Sequence, residues 1–201
     1  LRFGLCRRAR FHANLGRNYM DRGLYREAKE EFEKALKIKP DMVEPLINLG
    51  KLYLDHFGMA NEAIVYFKMA LRAEPKGAYG PMALGVAYLR TKEYEKAEHF
   101  LKVAVKRWKF YPVAINNLGI AKIHLEKKLE AMKIFQYGIR TDPTHADFYF
   151  NLAKLYFNEK RFSDAQQTLE NYLLINKNAR REKTLLKVIN KKHQSTDAVE
   201  E

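Results

Sequence analysis

The feature that most constrains the fold is a set of residues that return about every 34 positions along the chain. The first row consists of small residues: Gly16, Gly50, Gly85, Gly119 and Ala153. A second row consists of alanines: Ala28, Ala63, Ala97, Ala131 and Ala165. A third row consists of large apolar residues: Phe32, Phe67, Leu101, Phe135 and Leu169. Three rows with one period indicate five copies of a structural unit, each packed against its neighbours.

Each copy contains two stretches with the period of an α-helix. In the first copy, Leu15 and Tyr19 share one helix face, and Phe32 and Leu36 share a face of the next stretch. Gly23 lies between the two stretches, where a positive φ can end a helix. No segment alternates between apolar and polar residues as a half-buried strand does. The sequence therefore predicts an all-α chain of antiparallel helix pairs.

The first copy also combines residue types in a recognisable order: Leu15, Gly16, Tyr19, Ala28, Phe32, Ala35 and Pro40. This order resembles the tetratricopeptide repeat (TPR), a unit of two helices and about 34 residues. The resemblance implies a right-handed α-solenoid, the TPR superhelix. The five repeats that it implies are residues 9–42, 43–77, 78–111, 112–145 and 146–179.

Three further segments flank the repeats. Residues 1–8 are interpreted as a basic N-terminal extension, 180–193 as a basic helix that caps the last repeat, and 194–201 as a polar tail. A cap is expected because a terminal repeat would otherwise expose its apolar face. A partner-binding amphipathic helix is the alternative for 180–193.

Two repeats depart from the pattern. The second has one extra residue, which we place in the turn at His56-Phe57-Gly58-Met59. In the fourth, Lys122 stands where the other repeats have tyrosine, and Gly138 replaces a helical alanine. Glycine within a helix costs about 0.5–1 kcal/mol relative to alanine. We therefore predict that the fourth helix pair opens most easily.

The charge is basic and lies mainly at the two ends. The chain has 37 Lys and Arg against 24 Asp and Glu, a formal net charge of +13. Residues 1–17 carry five arginines and no acid, and residues 176–193 carry a net charge of +6. Nucleic-acid or anionic-surface binding is one interpretation. Solvated surface charge is the favoured one.

The single cysteine, Cys6, excludes an internal disulfide and a cysteine-based zinc site. Absence of disulfides is typical of a cytoplasmic protein. A periplasmic or membrane-associated location is the alternative if an upstream targeting segment has been removed. No apolar run approaches the roughly 18 residues of a membrane helix.

No catalytic arrangement is evident in the sequence. The six histidines show no short metal-binding spacing, and the segment 80–86 lacks the lysine of a phosphate-binding loop. We therefore expect no catalytic residue, metal site or cofactor, and no enzymatic activity. The alternative is a docking or regulatory segment of a larger enzyme such as a glycosyltransferase. An envelope assembly protein of the pilotin kind is another.

Asparagines recur at one place in four repeats: Asn14, Asn48, Asn117 and Asn151. The resemblance implies that this place faces the concave groove of a TPR array. A side-chain amide offers both an acceptor and two donors, and can pair with the backbone of an extended peptide. The alternative is that these amides make local hydrogen bonds between helices.

The predicted peptide-binding groove comprises ten residues: Asn14, Arg17, Asn48, Lys51, Tyr79, Met82, Asn117, Phe150, Asn151 and Lys154. We expect a ligand with an acidic group facing Arg17 and Lys51. Its apolar anchors would face Tyr79, Met82 and Phe150.

The chain departs from the TPR proteins that bind the acidic tails of heat-shock chaperones. The two-carboxylate clamp of those proteins falls here on Ala13, Arg17, Asn48, Tyr79 and Ala83. Because most of the required Lys, Arg and Asn are missing, chaperone-tail binding is disfavoured. The sequence thus predicts a non-enzymatic scaffold that binds an extended peptide or partner helix, as a monomer or weak dimer.

Overall fold

The computed structural model describes the backbone of residues 2–200 and the side chains of residues 4–194. Within that range the regular structure is entirely helical, with eleven α-helices and one π-helical turn. The predicted all-α class and the arrangement in helix pairs are confirmed. Leu1 and Glu201, which belong to the predicted segments 1–8 and 194–201, lie outside the described residues.

The helices follow one another as five pairs and a final single helix. The first three pairs are α1 (Arg2–Asp21) with α2 (Tyr25–Ile38), α3 (Val43–Lys51) with α4 (Ala60–Ala73), and α5 (Tyr79–Arg90) with α6 (Tyr94–Arg107). The last two pairs are α7 (Pro112–His124) with α8 (Lys128–Thr141), and α9 (Ala146–Asn158) with α10 (Phe162–Ile175). The final helix is α11 (Arg180–Glu200).

The helices form two compact units. The N-terminal unit, Leu1–Lys109, contains the first three pairs, and the C-terminal unit, Phe110–Glu201, contains the last two pairs and α11. Within each unit the two helices of a pair pack against each other. The second helix also packs against the first helix of the next pair, as α4 does on α5 and α8 on α9.

The repeated small residue is explained by the large residue of the partner helix. A Cβ atom at Gly50 would lie 2.2 Å from the ring of Phe67, and one at Gly119 would lie 2.4 Å from the ring of Phe135. Both phenylalanines are almost fully buried. The glycine therefore lets the two helices of a pair approach closely while the ring fills the space beside it.

Gly138, interpreted from the sequence only as a weak point in α8, has a packing role. A Cβ atom there would lie 2.6 Å from the fully buried ring of Phe148, which belongs to the next pair. Lys122 is also buried, and its Nζ lies 2.5 Å from Oε2 of Glu130 on the partner helix. Easier opening of this pair stays a prediction.

The turn within every pair has three residues, and its middle residue has a positive φ. Glycine holds this conformation in the first two pairs, at Gly23 and Gly58. The other three turns use Lys92 (φ 62°), Glu126 (57°) and Lys160 (59°). A left-handed conformation costs a residue with a Cβ atom roughly 1–2 kcal/mol, so these three turns are strained.

The extra residue of the second repeat lies inside the helix, so the predicted placement in the turn is wrong. The turn there has three residues, as in every other pair. Instead, α3 continues beyond Lys51 as a π-helical turn, Leu52–His56. The N–H of Phe57 donates to the carbonyl of Leu52 at 3.0 Å, five residues back. A π turn absorbs one inserted residue without interrupting the helix.

Both ends of the chain are more helical than expected. α1 begins at Arg2, so residues 2–8 are the start of the first helix rather than a separate extension. α11 begins at Arg180 as predicted but continues to Glu200, through most of the predicted polar tail. Neither segment contains a proline that would end a helix. α11 packs against α10 and buries Ile189 completely, as a capping helix does.

Candidate functional site

In the N-terminal unit, the predicted groove residues lie on the first helices of the pairs, α1, α3 and α5. Their side chains form contacts between neighbouring first helices. Arg17 Nη1 lies 3.0 Å from Oε1 of Glu44, which joins α1 to α3. Arg90 of α5 lies 3.9 Å from Asp55, in the π-helical turn that continues α3. We call the surface formed by Asn14, Arg17, Glu44, Asn48, Lys51, Asp55 and Tyr79 the N-terminal first-helix face.

The ion pairs on this face are exposed, so a charged group of a ligand can replace one member of a pair. The side chains of Arg17 and Glu44 are each about half exposed. Arg17 also donates from Nη2 to Oδ1 of Asn14 at 2.9 Å. Exposed pairs of this kind contribute about 0–1 kcal/mol. An acidic ligand can therefore take the place of Glu44 beside Arg17 at little cost.

Asn48 lies at the centre of this face. It follows Glu44 by one helical turn and precedes Lys51 by another, so the three side chains share one side of α3. Asn48 is half-buried. Among the residues that the structure describes, no side chain or backbone group hydrogen-bonds to its amide. Its two donors and its acceptor can all serve a ligand.

An aromatic edge lies beside Asn48. The ammonium group of Lys51 is 5.8 Å from the centre of the Tyr79 ring. Tyr79 in turn contacts Trp108 edge to face, with ring centres 5.1 Å apart. Trp108 is 41% exposed and Tyr79 is 38% exposed. Trp108 was not singled out from the sequence, because its position just after α6 gives no periodic signal.

Met82 does not contribute to this surface. Its side chain, in the first turn of α5, is only 6% exposed. The expectation that Met82 anchors a ligand is therefore not supported by its position. The Tyr79 and Trp108 rings are the accessible apolar groups at this place.

In the C-terminal unit, the two predicted asparagines use part of their hydrogen-bonding capacity internally. Asn151 Nδ2 donates to Oδ1 of Asn116 at 2.8 Å, which links α9 to α7. Asn117 Nδ2 donates to the carbonyl of Val113 in its own helix, also at 2.8 Å. Both side-chain amides therefore fit the alternative interpretation, in which these asparagines make local hydrogen bonds. Asn116 was not singled out from the sequence, because it lies outside the repeating place.

Phe150, a predicted apolar anchor, is covered by a residue of α11. The guanidinium of Arg181 lies 4.2 Å from the centre of its ring. Arg181 Nη1 also lies 2.8 Å from Oδ1 of Asp147, and Nη2 lies 2.8 Å from Oε1 of Glu182. Burial opposes the charge of Arg181, but the hydrogen bonds to both carboxylates outweigh it and raise the pKa of the guanidinium.

Lys154, the last predicted residue, is exposed on α9. Within the described part of the chain its ammonium group forms no ion pair. In the same part of the chain, no three His, Cys, Asp or Glu side chains are placed to hold a metal ion. No helix there is both long enough and apolar enough to cross a bilayer.

Family models for the tetratricopeptide repeat match three stretches of the chain, residues 9–42, 57–112 and 129–189. The chain belongs to the tetratricopeptide repeat family. TPR arrays are generally non-catalytic and bind protein or peptide partners.

Three curated relatives share this family. Human tetratricopeptide repeat protein 6 is 28% identical over 75% of this TPR chain, which spans 29% of that protein. The type IV pilus assembly protein PilF of Pseudomonas aeruginosa is 24% identical over 78% of the chain and 62% of PilF. The human protein O-mannosyl-transferase TMTC2 is 31% identical over 53% of the chain, but only 13% of the transferase.

Two solved TPR structures illustrate the likeness in fold. The structure of Pseudomonas aeruginosa PilF matches with a TM-score of 0.80 and 22% identity, over 96% of this chain and 88% of that one. YrrB, described as a TPR protein with an unusual peptide-binding site, matches with a TM-score of 0.70 and 21% identity. That match covers 88% of this chain and 90% of YrrB.

Proposed function

We propose that this TPR chain is a non-enzymatic interaction scaffold that binds an extended polypeptide on the N-terminal first-helix face. The observation that carries the proposal is the uncommitted amide of Asn48, next to Lys51 and between two exposed ion pairs. An amide in this position can accept an N–H and donate to a C=O of the same ligand residue. Binding through the ligand backbone then requires no particular ligand side chain at this point.

Charged and aromatic groups on either side of Asn48 define the ligand class. Lys51 and Arg17 favour an acidic side chain, because the competing pairs are exposed and weak. The Tyr79 and Trp108 rings favour an aromatic or long apolar side chain one or two residues away. The proposed ligand is therefore an extended segment with an acidic residue followed or preceded by an apolar one.

The C-terminal unit supplies a second, more polar surface in this proposal. Asn117 and Asn151 each keep their carbonyl oxygen and one N–H available after their internal hydrogen bonds. Lys154 adds an exposed positive charge on α9. Phe150 does not act as an exposed anchor in this proposal, because the guanidinium of Arg181 lies over its ring.

A second candidate is a role in assembling a larger structure, in the manner that the name of the pilus assembly protein PilF describes. The observation that favours it is the length of the match, which covers 96% of this chain and 88% of the PilF structure. A docking segment of a larger enzyme is the other candidate, because the chain matches only 13% of the transferase TMTC2. Both roles would use the same binding face.

The test is a selection of peptides from a random display library against the full chain, counter-screened with Asn48→Ala/Lys51→Ala. Both side chains are half-buried, and neither forms an ion pair or a side-chain hydrogen bond within the described residues, so helicity by circular dichroism should be unchanged. We expect peptides enriched by the original chain to share an acidic and an apolar residue, and to bind the double variant more than about ten-fold more weakly. Asn61→Ala, at an exposed position on α4 outside this face, is the matched control. Equal enrichment by the double variant would remove the proposal.

A further inference from the structure

A separate cleft lies in the N-terminal unit where α3 ends in its π-helical turn. It has a volume of about 600 Å³, within the range of roughly 300–1,000 Å³ that is usual for ligand pockets. Its lining residues come from α2, the π turn and the loop before α4: Arg26, Lys29, Glu30, Tyr53, His56, Phe57 and Met59. None of them belongs to the N-terminal first-helix face.

The inserted residue of the second repeat is what distinguishes this place from the other four turns. After the repeated small residue, the first helix continues for six residues here, from Gly50 to His56, and for five in each other pair. The longer helix end carries Tyr53 and His56 against α2. π-helical turns occur frequently at functional sites.

Aromatic rings form the floor and one wall of the cleft. Tyr53 stacks on Tyr66 with ring centres 5.3 Å apart, and it contacts Phe57 edge to face at 5.7 Å. His56 stacks on Tyr25 at 3.5 Å. These contacts fix the orientation of the rings before any ligand binds. The side chain of Met59 is 42% exposed at the mouth and adapts to apolar groups of different shape.

The part of the cleft formed by α2, which we call the rim, carries one positively and one negatively charged side chain that a ligand can reach. Arg26 and Glu30 are one helical turn apart, and both are exposed. In the described part of the chain, neither side chain forms an ion pair or a hydrogen bond. Lys29, between them in sequence, is paired with Glu33 at 3.7 Å, and its ammonium group lies 5.6 Å from the centre of the Tyr53 ring. A guanidinium binds a carboxylate with two parallel hydrogen bonds, and a carboxylate accepts an amide N–H.

We propose that this cleft binds a peptide segment in which an aromatic side chain neighbours a carboxylate. The ring packs against Phe57 and Met59, the carboxylate binds Arg26, and a backbone N–H of the segment donates to Glu30. The site is independent of the N-terminal first-helix face. Tyr53 follows Lys51 by two residues, and is therefore roughly 200° around the helix from it.

The test uses three small probes added to the full chain labelled with ¹⁵N. Acetyl-phenylalanine carries a terminal carboxylate, acetyl-aspartyl-phenylalanine amide carries a side-chain carboxylate, and acetyl-phenylalanine amide carries none. We expect at least one acidic probe to shift the amide resonances of residues 26–30 and 53–59, and to bind about five-fold more tightly than the uncharged probe. Tighter binding of acetyl-phenylalanine would indicate that the bound carboxylate is that of a chain end. Tighter binding of acetyl-aspartyl-phenylalanine amide would indicate a side-chain carboxylate.

Two variants test the roles of the rim and the mouth. Arg26→Ala should remove the advantage of the acidic probes, whereas Arg22→Ala, an exposed arginine outside the cleft, should leave it unchanged. Met59→Glu, at an exposed position, should weaken binding of the acidic probes more than that of the uncharged probe. Asn48→Ala/Lys51→Ala should change none of these affinities, which separates this site from the proposed function. Equal affinities for all three probes, or shifts confined to other residues, would overturn the proposal.

Discussion

The guanidinium of Arg181, at the start of α11, lies 4.2 Å from the centre of the Phe150 ring on α9. This contact joins the final helix to the first helix of the last pair. The same side chain pairs with Asp147 one turn before Phe150. α11 is thus held both by burial of Ile189 and by an exposed polar clamp at its start.

Removing this clamp should uncover Phe150. We predict that Arg181→Ala lowers the free energy of unfolding by only about 0.5–1 kcal/mol, because the guanidinium is about half exposed and its charge interactions are screened. The variant should also bind more of a dye that fluoresces on apolar surfaces. Arg180→Ala, its exposed neighbour, is the control. If both variants behave alike in urea unfolding and dye binding, the clamp has no role.

The crossing of α3 and α4 should not tolerate a methyl group at Gly50. A Cβ atom there would lie 2.2 Å from the Phe67 ring. We predict that Gly50→Ala destabilises the chain by about 1–3 kcal/mol through overpacking, measured by urea unfolding. The fifth repeat combines Ala153 with Leu169 at these two places. Gly50→Ala/Phe67→Leu should therefore recover most of the loss, and no recovery would exclude overpacking as the cause.

The strained turns offer a stabilising change. Lys92 has a φ of 62°, which glycine adopts without a Cβ clash. We predict that Lys92→Gly raises the free energy of unfolding by about 0.5–1 kcal/mol, seen as a higher Tm. Gly23→Ala, at the matching place of the first turn, should lower it by a similar amount. Changes of the same sign in the two variants would contradict this interpretation.

Glu31 should make stability depend on pH in the acid range. Burial acts to raise the pKa of this carboxyl, but hydrogen bonds from Lys34 and His12 outweigh it and hold the pKa below its ordinary value of 4.5. His12 Nδ1 lies 2.6 Å from Glu31 Oε2, joining α1 to α2. A depressed pKa means that the folded state favours the ionised form more than the unfolded state does.

The stability that Glu31 contributes is therefore fully present above pH 4.5 and is lost as the pH falls through the folded-state pKa. We predict that Glu31→Gln is less stable than the original chain near neutral pH, and that the difference shrinks as the pH falls below 4.5. Urea unfolding at a series of pH values measures it. Glu27→Gln, an exposed carboxyl on α2, is the control. A difference that stays constant with pH would assign the effect to packing.

Much of the fold could be predicted from the sequence because the small residues and their large partners obey a local rule. Gly50 fits Phe67, and Gly119 fits Phe135, at a fixed distance along the chain. The repeat spacing also showed that the second repeat has one extra residue. The spacing did not show where that residue lies, because an insertion shifts the following pattern equally whether it lies in the helix or in the turn.

The candidate site was less predictable, since its state depends on contacts between distant segments. The cover of Phe150 by Arg181 joins residues that are 31 positions apart. The pairing of Asn151 with Asn116 depends on the rotation of one helix against another. The resemblance to the tetratricopeptide repeat implies which helices carry the predicted groove. It could not distinguish a committed amide, as at Asn151, from the uncommitted amide of Asn48.

The most direct test of the proposed function is the affinity of a library-selected peptide for Asn48→Ala compared with the original chain. Trp108, the only tryptophan, contacts Tyr79 beside this face and should report binding through its fluorescence. We predict a Kd about ten-fold weaker for Asn48→Ala, since two backbone hydrogen bonds are lost, with Asn61→Ala unchanged. An unchanged Kd for Asn48→Ala, in a variant with full helicity, would contradict backbone recognition by this face.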